Sequence, residues 1–408
     1  MLDTTPLAGG LRLLRNPNIR RLFVAYMTTY VGNAMAPIAM AFGVLDLTGS
    51  TRDAAIVIAA PTLAAIVVLL IGGVVADRSS RHKIMYRAEF VSMACQLAMA
   101  YLFISAQASV PLLTGLMLIN GVAMAFHVPA ATGIIIQLVP REELQNANAI
   151  LGIARNGAFA GGAALGGLLV ATIDAGPTLL LDAITFGISG ILVMRMRPGA
   201  QTNEARTSVF NELKLGWREF TRHTWLWVIV VQFSLIVGAM EALLGLVGPA
   251  IARESMGGAS TWGFIAASFG AGTLLGGLIA MQIRPRYPMR LGTCLVFAFA
   301  AVPIALFYAA PLAVVIGAAL LSGISGQIFG VLWYTTLQIK VPGEMLSRVS
   351  AYDHLGSIAL APLGIVTAGF LYEAIGPQAT LLIIIATIAL PTCAALLVHD
   401  VRHMQHAP

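Results

Sequence analysis

The chain has 408 residues, 58% of them hydrophobic and only 10% charged, with a formal net charge of +6 and a mean hydropathy of +0.85. A water-soluble domain of that length cannot hide so much apolar side chain, which leaves a lipid bilayer as the solvent it fits. Cys95, Cys294 and Cys393 stand far apart inside apolar segments, as packing residues rather than a disulfide or metal site.

Residues 1–21 are basic and polar, and the first apolar run, 22–47, is too long for the apolar core of a signal peptide. Segments able to cross ~30 Å of hydrocarbon lie at 22–47, 53–76, 83–106, 110–139, 145–173, 177–196, 224–252, 261–283, 289–309, 311–340, 347–374 and 378–399. Gly32, Pro37, Pro61, Pro129, Pro249, Pro303 and Pro362 recur inside them, and membrane helices tolerate both residue types. Between the second and third spans runs Gly73-Val-Val-Ala-Asp77-Arg78-Ser-Ser-Arg81-His82-Lys83. Gly73 permits close helix approach, Asp77 is an acid at a helix end, and Arg78, Arg81 and Lys83 hold the loop in the cytoplasm. These five residues read as a gating motif, with Asp77 expected to bridge to the amino-terminal end of span 11 in the outward-open state; a plain positive-inside loop is the alternative reading.

The polar stretch 197–223 separates six spans from six, giving an amino-terminal bundle (1–196), a linker and a carboxy-terminal bundle (224–408). In the linker Leu213, Trp217 and Phe220 share one helical face, predicting a short helix on the cytoplasmic surface. With the amino terminus cytoplasmic, all but four of the 24 Lys and Arg residues fall on the cytoplasmic side. Arg52 and Arg253 fall outside, and Arg87 and Arg155 lie within spans. This positive-inside bias predicts a multi-pass protein of the inner membrane with both termini cytoplasmic. It also explains the pI of 9.5 without nucleic acid.

The halves read as copies. Val139-Pro140-Arg-Glu142-Glu-Leu144 is matched by Val341-Pro342-Gly-Glu344-Met-Leu346, at an offset of 202. Ile71-Gly72-Gly73 is matched by Leu275-Gly276-Gly277 at 204, and Asn120-Gly121 by Ser322-Gly323. Such a duplication predicts two six-helix bundles related by a pseudo-two-fold axis along the membrane normal. The second copy has Met281 where the first has Asp77.

The Asp77 loop, the spans and the repeat together resemble the major facilitator superfamily of secondary transporters over essentially the whole chain. Leu47-Thr-Gly-Ser50, Val139-Pro-Arg-Glu-Glu-Leu-Gln-Asn146-Ala-Asn148, Ala164-Leu-Gly166-Gly167, Asp182-Ala183, Arg348-Val-Ser-Ala and Ala361-Pro362-Leu-Gly364 are similar to the branch of macrolide-efflux and siderophore-export proteins. The resemblance implies export of an amphiphilic small molecule by alternating access, driven by proton exchange. It leaves uptake of a metabolite as the alternative, and a receptor or pore as the alternative of another class. The chain departs from the branch at four places. Ser80 replaces a loop glycine, and Gly162-Ala163 lacks the proline of the antiporter motif. Asn33 stands where many relatives carry an acid, and Met117 where drug antiporters carry Arg.

Ionisable residues in a span are functional candidates because burial costs several kcal/mol unless they are paired or hydrated. Glu241, in a helix that lines the central cavity of this fold, is the proton-coupling candidate, or an acid snorkelling outward. Arg155 pairs with an acid or an anionic ligand, or snorkels to the cytoplasm. If it faces the cavity, an anionic amphiphile gains over a cation. His127, Asn33, Gln232, Trp333, Tyr334 and Gln338 are further cavity candidates, each with packing as the alternative. Gly162, Gly166 and Gly167 are helix-packing residues. Glu89 and Arg87 read as a structural pair or as interface residues, Asp182 as a mostly hydrated acid near an outer end, and Asp353 as an acid opening span 11. No G-x-x-x-x-G-K-[ST], H-E-x-x-H, Cys-x-x-Cys or nucleophile elbow occurs. An enzyme, a metal and a cofactor are therefore not expected. The expected partners are the bilayer, a small molecule and protons, with the chain a monomer.

Overall fold

A computed structural model describes residues 12–78, 80–140, 143–198 and 209–405. Every regular element among them is helical, as hydrocarbon requires of a chain whose backbone must satisfy its own hydrogen bonds. The first helix, α1 (Pro17–Thr48), starts where Asn16 accepts the Asn18 amide and Pro17 pre-sets the first turn. It stops at Gly49, whose φ of 67° suits glycine. There follow α2 (Thr51–Arg78), α3 (Arg81–Ile104), α4 (Val110–Ile134), α5 (Leu144–Ile173) and α6 (Ala175–Met194). After α7 (Val209–Arg222), α8 (Thr224–Ser255) contains a π-helical turn at Leu243–Val247. Then come α9 (Ala259–Ala280), α10 (Pro288–Phe307), α11 (Leu312–Lys340), α12 (Gly343–Ile358) and α13 (Ala361–Leu397).

Among the described residues, eleven segments are long and apolar enough to span a membrane. The last, Arg348–Leu397, has 50 residues. At 1.5 Å per residue that is about 75 Å, over twice the hydrocarbon thickness. Gly376 breaks it with a φ of 83°, so it holds two of the twelve predicted spans. Large apolar side chains such as Val67, Leu390 and Leu397 are exposed, as suits a lipid-facing surface.

The chain forms two compact units. The first comprises Met1–Gly49, Ile56–Glu204 and Gly257–Gly263; the second comprises Ser50–Ala55, Ala205–Met256 and Phe264–Pro408. In the first, α1 packs on α5 and α6, and α3 packs on α4 and α6. In the second, α8 packs on α13 and α12, and α10 on α11. Matching glycines make matching contacts: a Cβ on Gly121 of α4 would strike Pro61 of α2, and one on Gly323 of α11 would strike Phe269 of α9.

The linker helix α7 belongs to the second unit. Gly216 lets it lie on α12, where an added Cβ would be 2.9 Å from Arg348 Cβ, and Phe220 is buried. Trp217 does not share that burial, being 53% exposed, although its ring centroid is 5.4 Å from that of Tyr352. Leu213 lies outside the described side chains.

Candidate functional site

Ionisable side chains converge inside the first unit. A cavity of about 290 Å³ lies among α1, α3, α4 and α5, lined by Thr29, Tyr26, Tyr30, Asn33, Glu89, His127, Asn148 and Arg155 together with Met124 and other apolar groups. The small residues of α5 bring its wall in. Gly162 and Gly166 seat that helix on α1, where a Cβ on Gly162 would strike Val31 O and one on Gly166 would lie 2.7 Å from Met35 Cα. Gly167, on another face, meets Gly263, with an added Cβ 2.6 Å from its Cα. The absent antiporter proline is not needed for this close packing, because the glycines alone remove the side-chain bulk.

Glu89 is the centre of the site and is only 3% exposed. Thr29 Oγ1 donates to Glu89 Oε2 at 3.2 Å, and His127 Nε2 lies 3.1 Å from Glu89 Oε1. Three helices thus gather a hydroxyl, a carboxylate and an imidazole inside the bundle, the Thr29 hydroxyl hydrogen-bonded to the acid and the imidazole at ion-pair distance, its Nε2 making no hydrogen bond among the described residues. A buried carboxylate is tolerable only with such partners. Tyr26 is tied to the wall by its hydroxyl, which donates to Ala131 O at 3.3 Å. Its ring meets Tyr30 edge to face at 5.6 Å. Arg155 is an exposed side chain on this wall, so it faces the cavity.

Glu89 was expected to pair with Arg87 as a structural couple. Arg87 is exposed instead, and the acid turns inward to His127. The signal for this in the sequence is Glu89, Ser92 and Gln96 at helical spacing, all buried on one face of α3. Asp182 was expected to be mostly hydrated, yet it is fully buried on α6. There Thr185 Oγ1 lies 3.2 Å from its Oδ1. Asp353 does not open a helix, because α12 already begins at Gly343.

The candidates of the second unit do not converge on that unit's own cavity of about 220 Å³. Its wall is apolar apart from the hydroxyls of Thr367, Thr380 and Thr387. Trp333, 5% exposed, donates its indole N–H to Asp353 Oδ2 at 3.0 Å and stacks on Phe329. Those contacts make it a packing residue. Gln232 is buried and donates to Thr392 Oγ1 at 3.0 Å, joining α8 to α13. Tyr334 and Gln338 are exposed. Glu241 is also exposed, lines neither cavity, and has no hydrogen-bond or ion-pair partner among the described residues.

At the Asp77 loop, the side chains of Gly73, Asp77 and Arg78 lie outside the described residues. Arg81 donates to Gly133 O at 2.9 Å, placing a cation on the carboxyl end of α4, where the helix dipole favours it. Lys83 is exposed.

The span count, the glycine-mediated packing at matching positions of the two repeats and the ionisable groups of the cavity fit the major facilitator fold. Residues 8–407 match the family model of the transmembrane secretion effectors, MFS_3, and the chain belongs to that family. It is therefore a transporter rather than an enzyme. It is 25% identical over 385 residues to the multidrug efflux pump Tap of Mycolicibacterium fortuitum, covering 90% of this chain and 92% of Tap. It is 26% identical over 373 residues to the enterobactin exporter EntS of Escherichia coli O1:K1 / APEC, covering 87% of each. Among solved structures, the nucleoside transporter NupG superposes with a TM-score of 0.76 at 14% identity, over 93% of this chain and 98% of that one. At that identity the likeness speaks for the fold.

Proposed function

We propose that this transporter exports a weakly basic amphiphile from the cytoplasm in exchange for protons, by alternating access, with both termini cytoplasmic. The observation that carries the reading is the placement of Glu89, His127 and Arg155 on one cavity whose remaining wall is largely aromatic and apolar. Similarity to a multidrug pump and to an enterobactin exporter supports the outward direction.

The charge of the ligand follows from counting. Arg155 and an ionised Glu89 cancel, and one proton on the Glu89–His127 pair leaves the cavity with a single positive charge. Binding and protonation are reciprocally linked. An anion therefore binds better with the proton aboard and travels with it, whereas a cationic ligand binds better without it and exchanges against it. This reverses the expectation that Arg155 in the cavity favours an anion, because Glu89 shares that cavity.

The test is binding of a cationic rhodamine ester and its carboxylate analogue to the purified protein across pH. The cation should bind up to about tenfold more weakly per pH unit as pH falls, and Glu89→Gln should flatten the profile. Tightening of the carboxylate analogue at low pH, with no change for the cation, would turn exchange into cotransport. An imposed pH gradient that moves neither dye in proteoliposomes would end proton coupling altogether.

A further inference from the structure

The proton-exchange reading raises the question of how a proton reaches Glu89. We propose that a buried polar strip along α6 and α3 conducts protons between the exposed end of α6 and the Glu89–His127 pair.

Asp174, Thr178, Asp182, Thr185 and Ser189 recur every three or four residues, so they form one stripe down α6. Asp174 is exposed at its start, whereas Thr178, Asp182 and Ser189 are essentially inaccessible. On α3, which packs against α6, Glu89, Ser92 and Gln96 form a second buried stripe. At the level of the inner end of the first stripe α6 meets α3 at the site, since a Cβ on Gly190, the residue after Ser189, would be 3.3 Å from Glu89 Cβ. Polar residues are costly in a bundle interior, and here they follow one line on each helix, the α6 line running past Gly32 of α1, rather than being scattered.

Two atoms in the strip lack what a purely structural role would give them. Asp182 Oδ2 and Gln96 Oε1 are buried with no hydrogen-bond partner among the described residues, although buried acceptors are almost always paired. Gly32 makes the room for this acid. A Cβ there would collide with Asp182 Oδ1 and Thr185 Oγ1. Eight residues separate Asp182 from Gly190, about 12 Å along the helix, or about four hydrogen-bonded steps. The Thr185 and Ser189 hydroxyls supply two of those steps and water the others.

In the proposed cycle a proton entering at the Asp174 end binds Asp182 Oδ2. Asp182 then releases a proton along the strip to the Glu89–His127 pair and returns to its carboxylate, so one O–H bond forms for each that breaks. Glu89 comes from α3, His127 from α4, Arg155 from α5, and Tyr26 and Tyr30 from α1. Those are the groups whose charge the arriving proton meets.

Two measurements on the full-length protein test the route. In proteoliposomes holding a pH-sensitive dye, ethidium-linked proton flux should fall at least tenfold in Asp182→Asn and severalfold in Gln96→Leu, while equilibrium ethidium binding stays within twofold. Without any ligand, an infrared difference spectrum between two pH values should show two carboxyl signals, one lost in Asp182→Asn and the other in Glu89→Gln. Wild-type proton flux in Asp182→Asn, or no carboxyl signal from Asp182, would overturn the route while leaving exchange at Glu89 intact. Wild-type flux in Glu89→Gln, with both carboxyl signals absent from the wild type, would overturn the exchange reading as well.

Discussion

Replacing His127 with Ala should destabilise the protein far more than its size suggests. The imidazole itself is a modest side chain, but its removal strands Glu89, which is 3% exposed and keeps only the Thr29 hydroxyl at 3.2 Å. Breaking one partner of a buried pair typically costs 3–5 kcal/mol, roughly two to four powers of ten in the folding equilibrium. The remaining Thr29 bond puts the expected loss near 3 kcal/mol at neutral pH. Glu89→Gln should cost about 1–2 kcal/mol, since it keeps the shape and removes the charge. The double variant should then be less damaged than the sum of its parts, with a coupling of about 1.5 kcal/mol or more. Chemical unfolding of the four proteins in one detergent, followed by tryptophan fluorescence, gives the cycle directly. A coupling below about 0.5 kcal/mol would show that the 3.1 Å approach is proximity without interaction, and the proton site at Glu89 would lose its physical basis.

Gly162→Leu and Gly166→Leu should abolish the monodisperse peak in size-exclusion chromatography, whereas Gly157→Leu, with open space around it, should keep it. Trp333→Phe leaves Asp353 buried without its donor and should cost about 1–3 kcal/mol, with ligand binding unchanged; a matching loss of binding would place Trp333 in a ligand site. Glu241→Gln should retain pH-dependent ligand binding that Glu89→Gln loses, and the opposite result would return proton coupling to α8. Asp77→Asn should lower transport while membrane abundance, read by immunoblot, stays near wild type.

The fold was legible because its determinants are one-dimensional. Apolar run length gives the spans, because crossing hydrocarbon sets a minimum length that can be read along the chain. Even the merged last segment divides at Gly376, within the Ile375-Gly376-Pro377 step between the spans predicted to end at 374 and begin at 378. The site was only half legible. His127 and Arg155 stand out as ionisable residues in apolar runs, but which neighbour each meets depends on the rotation of four helices about their axes. Helical spacing sets a face and not the partner opposite it. Glu89 was therefore matched to Arg87, its near neighbour in sequence, when the close neighbour in space is His127 on the next helix. Trp333 and Gln232 failed in the other direction. A residue able to bind a ligand was equally able to bind Asp353 or Thr392, and only packing decides between them.

The duplication explains why the chemistry gathers in one unit. At the offset of 202 that relates the repeats, His127 corresponds to Phe329, Arg155 to Ser357 and Asp182 to Ile384. Glu89 falls on Leu291 at that offset, or on Thr293 at 204. Every ionisable member of the first-unit site is thus neutral in the second copy. The consequence is visible in the packing. Phe329 stacks on Phe233 at 4.3 Å and leads on to Trp333, filling with aromatic rings a level where the first copy has a carboxylate and an imidazole. An ion pair needs a hydrated or bonded environment, whereas an aromatic stack is stable in a dry one. Two copies of one helical plan have diverged into a unit suited to carrying charge and a unit suited to apolar contact.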